Sequence, residues 1–204
     1  PGSKDVVIRV LKTGICGTDL QLYHYTPWAQ ATLQLPRVIG HEFVGEIAAL
    51  GDQVSSFSVG DCVTAEAHTF CGHCEQCHAD RRHYCPSVQG LGVHIDGAMA
   101  DYVCIPERNI WPCPNQHTDI MAFADALGNA VYATSRCPIK GRSILITGAG
   151  PIGLSVLMLC RFLGSGPITI VDPIAYRVDL AQQLGATESI CLTDDQRSNG
   201  FQFD

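Results

Sequence analysis

The sequence lacks an apolar run of the ~18 residues that a membrane-spanning helix requires, and its only adjacent basic residues are Arg81 and Arg82. It also lacks internal repeats and low-complexity segments. Only 16% of the residues are charged, and the formal net charge is −7. These absences argue against a membrane partner and a nucleic-acid partner, because nucleic-acid binding usually needs a basic patch. No signal peptide precedes the first strand-like run, so we expect a cytoplasmic protein.

Cysteine, by contrast, is abundant, with eleven residues in a chain of 204. In a secreted chain of this size so many cysteines would indicate disulfide bonds. The lack of a signal peptide and the zinc-like spacing of several of them favour metal sites in a reducing compartment. The cysteines outside those spacings are predicted to be buried small apolar residues: Cys62, Cys104, Cys113, Cys137, Cys160 and Cys191.

The hydrophobic pattern changes near residue 119, which predicts two domains, residues 1–118 and residues 119–204. The first contains strand-like runs such as "DVVIRVLKT" and "VIGHEFVGEIAAL", with a loop-like lobe over residues 70–97. The second begins with one helical stretch, "DIMAFADALGNAVYATSR", and continues as strand, helix, strand, helix. That order predicts an α/β fold with a doubly wound parallel sheet. Because only two strands are predicted there, we expect this domain to be incomplete at its C-terminal end.

The stretch "GAGPIG" has the pattern G-x-G-x-x-G, formed by Gly148, Gly150 and Gly153. It follows an apolar strand and opens a helix, the context in which this pattern binds the pyrophosphate of a dinucleotide. Asp172 ends the next strand, where a carboxylate accepts ribose hydroxyls and repels a 2′-phosphate, so NAD is favoured over NADP. Arg177, one helical turn on, could cover the adenine side. The alternative is a structural glycine turn followed by a solvated aspartate.

The stretch "CGHCEQCHADRRHYC" contains four closely spaced cysteines: Cys71, Cys74, Cys77 and Cys85. Four thiolates in one loop match a structural zinc site, in which the ion is tetrahedral and fully ligated by protein. An iron–sulfur cluster, which also uses closely spaced cysteines, and chance clustering are the alternatives. The histidines within the stretch are expected to be solvated loop residues, because four sulfurs already complete the coordination shell.

A second candidate metal site is spread along the chain. Cys16 lies in "CGTD", and His41 and Glu42 lie in "GHE". A cysteine, a histidine and a carboxylate would suit a catalytic zinc, which takes three protein ligands and keeps one position open. Spacing alone cannot bring distant residues together, and a histidine in this setting is more often simply packed.

The motifs "GICGTD", "GHEFVGEI" and "VGDCV", followed by the four cysteines and "GAGPIG", resemble in this order the zinc-dependent medium-chain alcohol dehydrogenase family. The resemblance implies a GroES-like, β-rich catalytic domain followed by a Rossmann domain, usually in a homotetramer. Within the family the chain is most similar to the branch that oxidises L-threonine, through "CGTDLQLYHYTPWAQ", "AEAHTFCGHC" and "DALGNAVYAT".

The resemblance also implies roles for individual residues. Cys16, His41 and Glu42 would bind the catalytic zinc, and Asp125 would be a fourth ligand or a proton-shuttle group. Thr18 would accept the alcohol proton, and His68 would lie near the substrate. Cofactor contacts would come from Ile152, Asp172 and Arg177 as well as from the glycines.

The chain departs from the threonine-oxidising pattern at Gln21, where that branch has a relay histidine. Glutamine does not titrate near neutral pH, and His24 is the nearest histidine that could replace it. Ala67 and Ala126 are further departures. We therefore expect zinc-dependent, NAD-linked oxidation of a small secondary alcohol, L-threonine first. A polyol or diol substrate is the alternative, and a non-catalytic zinc-binding fold is the third.

Overall fold

The computed structural model describes residues 1–114 and 118–192, and the side chain of residue 118 is not included. The chain divides into two compact units, Pro1–Asp125 and Ala126–Asp204. No helix within the described residues is both long enough and apolar enough to cross a bilayer.

The first unit is built on an antiparallel sheet of five strands, ordered β6-β1-β2-β3-β7, and a two-stranded sheet formed by β4 and β5. The strands are β1 Asp5–Thr13, β2 Phe43–Leu50, β3 Cys62–Ala65, β4 His68–Thr69, β5 Gln89–Gly90, β6 Tyr102–Pro106 and β7 Ile110–Pro112. Alternate positions of β1 and β6 point inward, as a half-buried strand requires. The buried apolar core therefore includes Val6, Ile8, Phe43, Ile47, Val103 and Ile105.

The helices of the first unit are short: α1 Gly17–Tyr23, α2 Pro27–Thr32, α3 Glu75–His78 and α4 Thr118–Met121. A longer helix, α5 Ala124–Ser135, follows directly and spans the division between the units. The single helical stretch predicted from residue 119 is thus two helices, interrupted by the turn at residues 122–123. Short single-turn 3₁₀ helices at Arg82–Tyr84 and Glu107–Asn109 complete the unit.

The second unit has a parallel sheet of three described strands, ordered β10-β9-β8, with two helices. Its elements are β8 Ile144–Thr147, α6 Pro151–Phe162, β9 Ile168–Asp172, α7 Ala175–Gln183 and β10 Glu188–Cys191. Two strands were predicted, and β10 is the third. Its sequence "ESIC" lacks the apolar run of a buried strand, and its parallel pairing with β9 defines it.

Most of the cysteines predicted to be buried are not. Cys160 is 1% exposed within the core of the second unit. Cys104, Cys137 and Cys191 are exposed, and Cys62 and Cys113 are partly exposed, so the prediction is wrong for these five. For Cys104 the physical reason is strand alternation, because it lies between the buried residues Val103 and Ile105 and therefore points the other way.

Candidate functional site

Three potential ligands meet at one end of the five-stranded sheet, just beyond the end of β1 and the start of β2. One ligand atom each from Cys16, His41 and Glu42 lies within 4.8 Å of the other two, and these residues are called here the mixed-ligand cluster. Cys16 immediately precedes α1, whereas His41 and Glu42 immediately precede β2. The Gly14 N–H donates to the Glu42 carbonyl at 2.8 Å and ties the two segments together. A Cβ at Gly14 would crowd the Glu42 side chain, so glycine leaves room for that carboxylate.

Asp19 lies behind the mixed-ligand cluster and was missed in the sequence analysis. Its side chain is 2% exposed. One oxygen accepts a hydrogen bond from the Cys16 N–H at 2.8 Å, and the other is 3.6 Å from Nδ1 of His41. A carboxylate behind a ligating histidine fixes the ring and its tautomer, and it leaves the other ring nitrogen for the metal. The detectable signal was the spacing Cys-x-x-Asp, which places Asp19 in the first turn of α1.

The chemistry of the cluster fits a zinc ion. Thiolate, imidazole and carboxylate are the donors that catalytic zinc sites use. Oδ1 of Asp19 and Nδ1 of His41 are both buried without a hydrogen-bond partner, at 3.6 Å from each other. Burial raises the pKa of the Glu42 carboxyl, and the neighbouring carboxylates of Asp125 and Asp19 raise it further, against the effect of His41. Such a concentration of buried acidic groups favours a bound cation.

A second group of titratable side chains lies beside the mixed-ligand cluster. Nδ1 of His68 is 2.8 Å from Oε1 of Glu66. This hydrogen bond raises the pKa of His68 and lowers that of Glu66. Burial raises the pKa of Asp125, and Glu66 raises it further. The structure therefore brings His68 and Asp125, both predicted from resemblance, into one electrostatic group with Glu66.

The predicted proton path is supported at Thr18 but not beyond it. Thr18 lies in α1, two residues after Cys16, and is partly buried. Gln21 and His24 are both exposed, and the His24 ring packs edge-on against Tyr23, with the ring centroids 5.4 Å apart. Among the described residues, the contacts of His24 do not reach the mixed-ligand cluster. They therefore do not support His24 as a substitute for the missing relay histidine.

The four-cysteine cluster, Cys71, Cys74, Cys77 and Cys85, is equally compact. Its sulfur–sulfur distances include 3.9 Å for Cys71–Cys77, 3.4 Å for Cys74–Cys77 and 3.6 Å for Cys85–Cys71. Tetrahedral zinc with Zn–S bonds of ~2.3 Å places its sulfurs ~3.8 Å apart. Backbone N–H groups, that of His73 first, lower the pKa of the Cys71 thiol to about 6, which favours the ligating thiolate. These distances suit one ion and leave no room for a multinuclear iron–sulfur cluster.

The histidines of the same lobe, His73, His78 and His83, are all exposed. Nδ1 of His73 is 3.1 Å from the Cys71 carbonyl oxygen. None of the three belongs to a group of potential metal ligands among the described residues.

In the second unit the glycine-rich turn joins β8 to α6. Gly148 has φ +94°, a conformation that favours glycine. A Cβ on Gly153 would collide with the Gly148 carbonyl oxygen, so the close approach of helix to strand needs glycine there too. Gly150 caps the N-terminus of α6, whose first turn carries Ile152, 47% exposed. Unpaired N–H groups at such a helix start are suited to a pyrophosphate.

Asp172 is more deeply engaged than the sequence indicated. It is 3% exposed, and its two oxygens accept hydrogen bonds from the N–H groups of Ala149 and Ile174, both at 2.8 Å. Nη1 of Arg177 is 3.8 Å from Oδ2 of Asp172. Because Ala149 lies within the glycine-rich turn, Asp172 braces that turn. Each carboxylate oxygen has two lone-pair positions, so ribose hydroxyls can still be accepted.

Comparisons with known proteins agree with this geometry. The chain is 42% identical over 199 residues to an L-threonine 3-dehydrogenase of Idiomarina loihiensis, covering 97% of the chain and 58% of that protein. It is 43% identical to an L-threonine 3-dehydrogenase of Shewanella woodyi, covering 93% of the chain and 56% of that protein. The chain thus spans little more than half the length of these relatives.

Solved structures with the same fold include the alcohol dehydrogenase TADH from Thermus sp. ATN1, with a TM-score of 0.84 and 31% identity over 92% of this chain and 56% of that one. Another is a protein of Sinorhizobium meliloti 1021 described as a zinc-binding dehydrogenase and bound to NADP, with a TM-score of 0.86 and 31% identity over 98% of this chain and 56% of that one. These likenesses confirm the predicted fold class, a GroES-like domain followed by a partial Rossmann domain. Residues 2–115 match the family profile of the alcohol dehydrogenase GroES-like domain, and the chain belongs to that family.

Proposed function

We propose that the protein carrying this chain is a zinc-dependent dehydrogenase that oxidises L-threonine at its 3-hydroxyl to 2-amino-3-oxobutanoate and reduces NAD. The observation that carries the proposal is the mixed-ligand cluster, in which Cys16, His41 and Glu42 converge from two segments of chain with Asp19 behind them. The relatives named L-threonine 3-dehydrogenase support the choice of substrate.

In this proposal Cys16, His41 and Glu42 hold a catalytic zinc, with Asp125 as a further ligand or proton-shuttle group. Such an ion, when bound, supplies Lewis-acid polarisation of the substrate hydroxyl. The four-cysteine cluster holds a second zinc with a structural role. Asp19 keeps the His41 ring in position, because it lies against Nδ1 and is itself fixed by the Cys16 N–H.

The proton of the substrate hydroxyl leaves through Thr18. Its hydroxyl can both donate and accept a hydrogen bond, and it lies in the first turn of α1, two residues after the ligand Cys16. Gln21 cannot complete a titrating relay, so the relay histidine of the threonine-oxidising branch has no counterpart at that position. A nicotinamide, when bound by the second unit, would supply the acceptor for the hydride of the carbinol carbon.

The charges beside the cluster favour an amino acid over a neutral alcohol. Glu66 and Asp125 interact with each other and present carboxylates that could receive the ammonium group. His68, whose pKa the Glu66 hydrogen bond raises, is suited to the substrate carboxylate. A polyol carries neither an ammonium group nor a carboxylate, so it would gain no charge-assisted contact from these groups.

The cofactor is held in the second unit. Gly148, Gly150 and Gly153 shape the pyrophosphate turn, and Ile152 lies at the start of α6. Asp172 accepts the ribose hydroxyls and opposes a 2′-phosphate, while Arg177 lies beside it. This assignment favours NAD, although a similar structure carries NADP.

The domain division of residues 1–118 and 119–204, a homotetramer of the full-length protein and a cytoplasmic location belong to the same proposal. They follow from the resemblance to the medium-chain dehydrogenases and from the reducing compartment that the metal sites favour.

Polyol or diol oxidation is the second candidate, and Gln21 is the residue that favours it. NADH formation by the full-length protein, measured with L-threonine, sorbitol, butanediol and simple alcohols, separates the two. Turnover of L-threonine with little turnover of the neutral alcohols is expected. Good turnover of a polyol without turnover of L-threonine would refute the proposed substrate, and no turnover of any alcohol would favour a non-catalytic zinc fold.

A further inference from the structure

Two cysteines outside both clusters, Cys62 and Cys113, lie opposite each other on neighbouring strands. Cys62 begins β3, and Cys113 follows the last residue of β7. The register pairs Val63 with Pro112, so the next pair outward is Cys62 with Cys113. The Cys113 N–H donates to the Cys62 carbonyl oxygen at 2.8 Å. Directly opposed residues in an antiparallel pair project to the same face of the sheet.

The two thiols also influence each other's titration. Burial raises the pKa of both, that of Cys113 to about 12, and their mutual influence lowers the pKa of Cys62 while raising that of Cys113. Both side chains remain partly exposed, so a small reagent can reach them. The influence of Cys113 favours Cys62 as the attacking thiol, and Cys113, opposite it in the strand register, is placed to resolve a bond formed at Cys62.

The pair is poorly suited to holding a metal. Among the residues that the structure describes, groups of three or more potential ligands occur only at the mixed-ligand cluster and the four-cysteine cluster. Glu46, which lies across from Cys62 on β2, is paired with Arg9 instead. Two opposed thiols without a third ligand favour sulfur–sulfur chemistry.

We propose that Cys62 and Cys113 form a reversible disulfide that joins β3 to β7 when the protein meets a small-molecule disulfide such as oxidised glutathione. A hydrogen-bonded antiparallel pair has its Cα atoms ~5.5 Å apart, within the ~4.4–6.8 Å that disulfides span. Cys113 lies just past the last residue of β7, and its N–H bond to the Cys62 carbonyl oxygen keeps the two residues opposed.

The step is a thiol–disulfide exchange in two parts. The Cys62 thiolate attacks one sulfur of oxidised glutathione, which forms a mixed disulfide and releases one reduced glutathione. The Cys113 sulfur, having given up its proton, then displaces the second glutathione and forms the Cys62–Cys113 bond. Two electrons pass to oxidised glutathione, and the two thiol protons end on the two glutathione molecules released.

The disulfide has a structural consequence. It fixes β3 to β7, and β3 leads through Ala65 directly to Glu66 and His68 beside the mixed-ligand cluster. It also closes the long segment between the two cysteines and so restricts the unfolded chain, which stabilises the folded state.

The test equilibrates the intact, zinc-loaded protein in glutathione buffers from reducing to oxidising, followed by alkylation, proteolysis under non-reducing conditions and mass spectrometry. We expect a peptide that links Cys62 to Cys113, a Tm higher by several degrees, and loss of both on treatment with dithiothreitol. The Cys62→Ser and Cys113→Ser variants lose both effects. Cys104→Ser, which removes an exposed thiol paired with Val7 rather than with a cysteine, keeps both.

The mapping of the wild-type protein decides the question even where a variant folds poorly. Cys62 and Cys113 recovered as alkylated thiols in the most oxidising buffer would overturn the proposal. Separate glutathione adducts on either residue, without the linked peptide, would overturn it as well.

Discussion

The four-cysteine cluster and the mixed-ligand cluster lie in the same unit. They differ in the identity of their ligands, in the segments that supply them and in the groups that surround them. The first draws four identical ligands from one local lobe between Cys71 and Cys85. The second draws three different ligands from two separated segments, and it lies beside the titratable group of Glu66, His68 and Asp125. Four sulfurs close a coordination shell, whereas three mixed ligands leave a position for substrate. Identical local ligands are therefore suited to a structural ion, whereas mixed ligands from separate segments are suited to a catalytic one.

The largest expected effect is on activity, from Cys16→Ser. Removing a ligand of the mixed-ligand cluster should lower kcat/KM by more than about a hundredfold, because even losing a residue behind a ligand costs ~10–100-fold. The fold should persist, since the four-cysteine cluster is untouched. Steady-state NADH formation and a thermal melt of the same sample check both parts, with Cys104→Ser as the matched control. Retained activity would show that Cys16 holds no catalytic metal.

For Cys74→Ser we expect the opposite result, a loss of stability with little loss of activity. This change removes one sulfur of the four-cysteine cluster, so it should lower Tm on the order of 10 °C, since structural zinc contributes directly to folding. Molecules that remain folded should keep most of their kcat. Calorimetry with activity measured below the melting range tests this. A large loss of kcat without a change in Tm would reverse the roles given to the two clusters.

Asp172 extends the comparison to the second unit, because like Asp19 it is a buried carboxylate that accepts a backbone N–H from the site it supports. We expect Asp172→Ala to raise the KM for NAD about tenfold and to bring the KM values for NAD and NADP closer together. The reason is that the acceptor for the ribose hydroxyls and the hydrogen bond to the Ala149 N–H are both lost. Cofactor titrations with NAD and NADP provide the measurement. An unchanged ratio of the two KM values would contradict the ribose role.

The smallest effect concerns the Glu66–His68 pair. The hydrogen bond that Glu66 accepts from His68 raises the pKa of His68 in the folded state. Its contribution to stability is therefore fully present below the histidine pKa of the unfolded state and is lost as the pH rises through the raised folded pKa. For Glu66, whose folded pKa is lowered, stabilisation is present above the unfolded value and is lost as pH falls through the lowered one. NMR titration should find the His68 pKa above ~6.5, and Glu66→Gln should lower it. An unchanged His68 pKa in the Glu66→Gln variant would show that Glu66 does not raise the pKa of His68.

The same contrast between local and distant ligands explains how much of the structure could be predicted from the sequence. The spacing of the four cysteines is local, so it predicted their convergence directly. The mixed-ligand cluster joins distant segments, and only the resemblance to a family placed Cys16 beside His41. Asp19 was missed because its role depends on the ring of His41, which lies in another segment. The exposure of Cys104 could have been predicted from the alternation of buried and exposed positions in its strand. Strand β10 could not, because it forms by pairing with β9 and its own residues carry no strand pattern.

The most direct test of the difference between the clusters is the zinc content of the purified full-length protein and of its Cys16→Ser variant, measured on folded samples. The account predicts about two zinc ions per chain in the wild type and about one in the variant, with similar Tm values. About one zinc ion per chain in both proteins would contradict a metal at the mixed-ligand cluster, and with it the catalytic role proposed there.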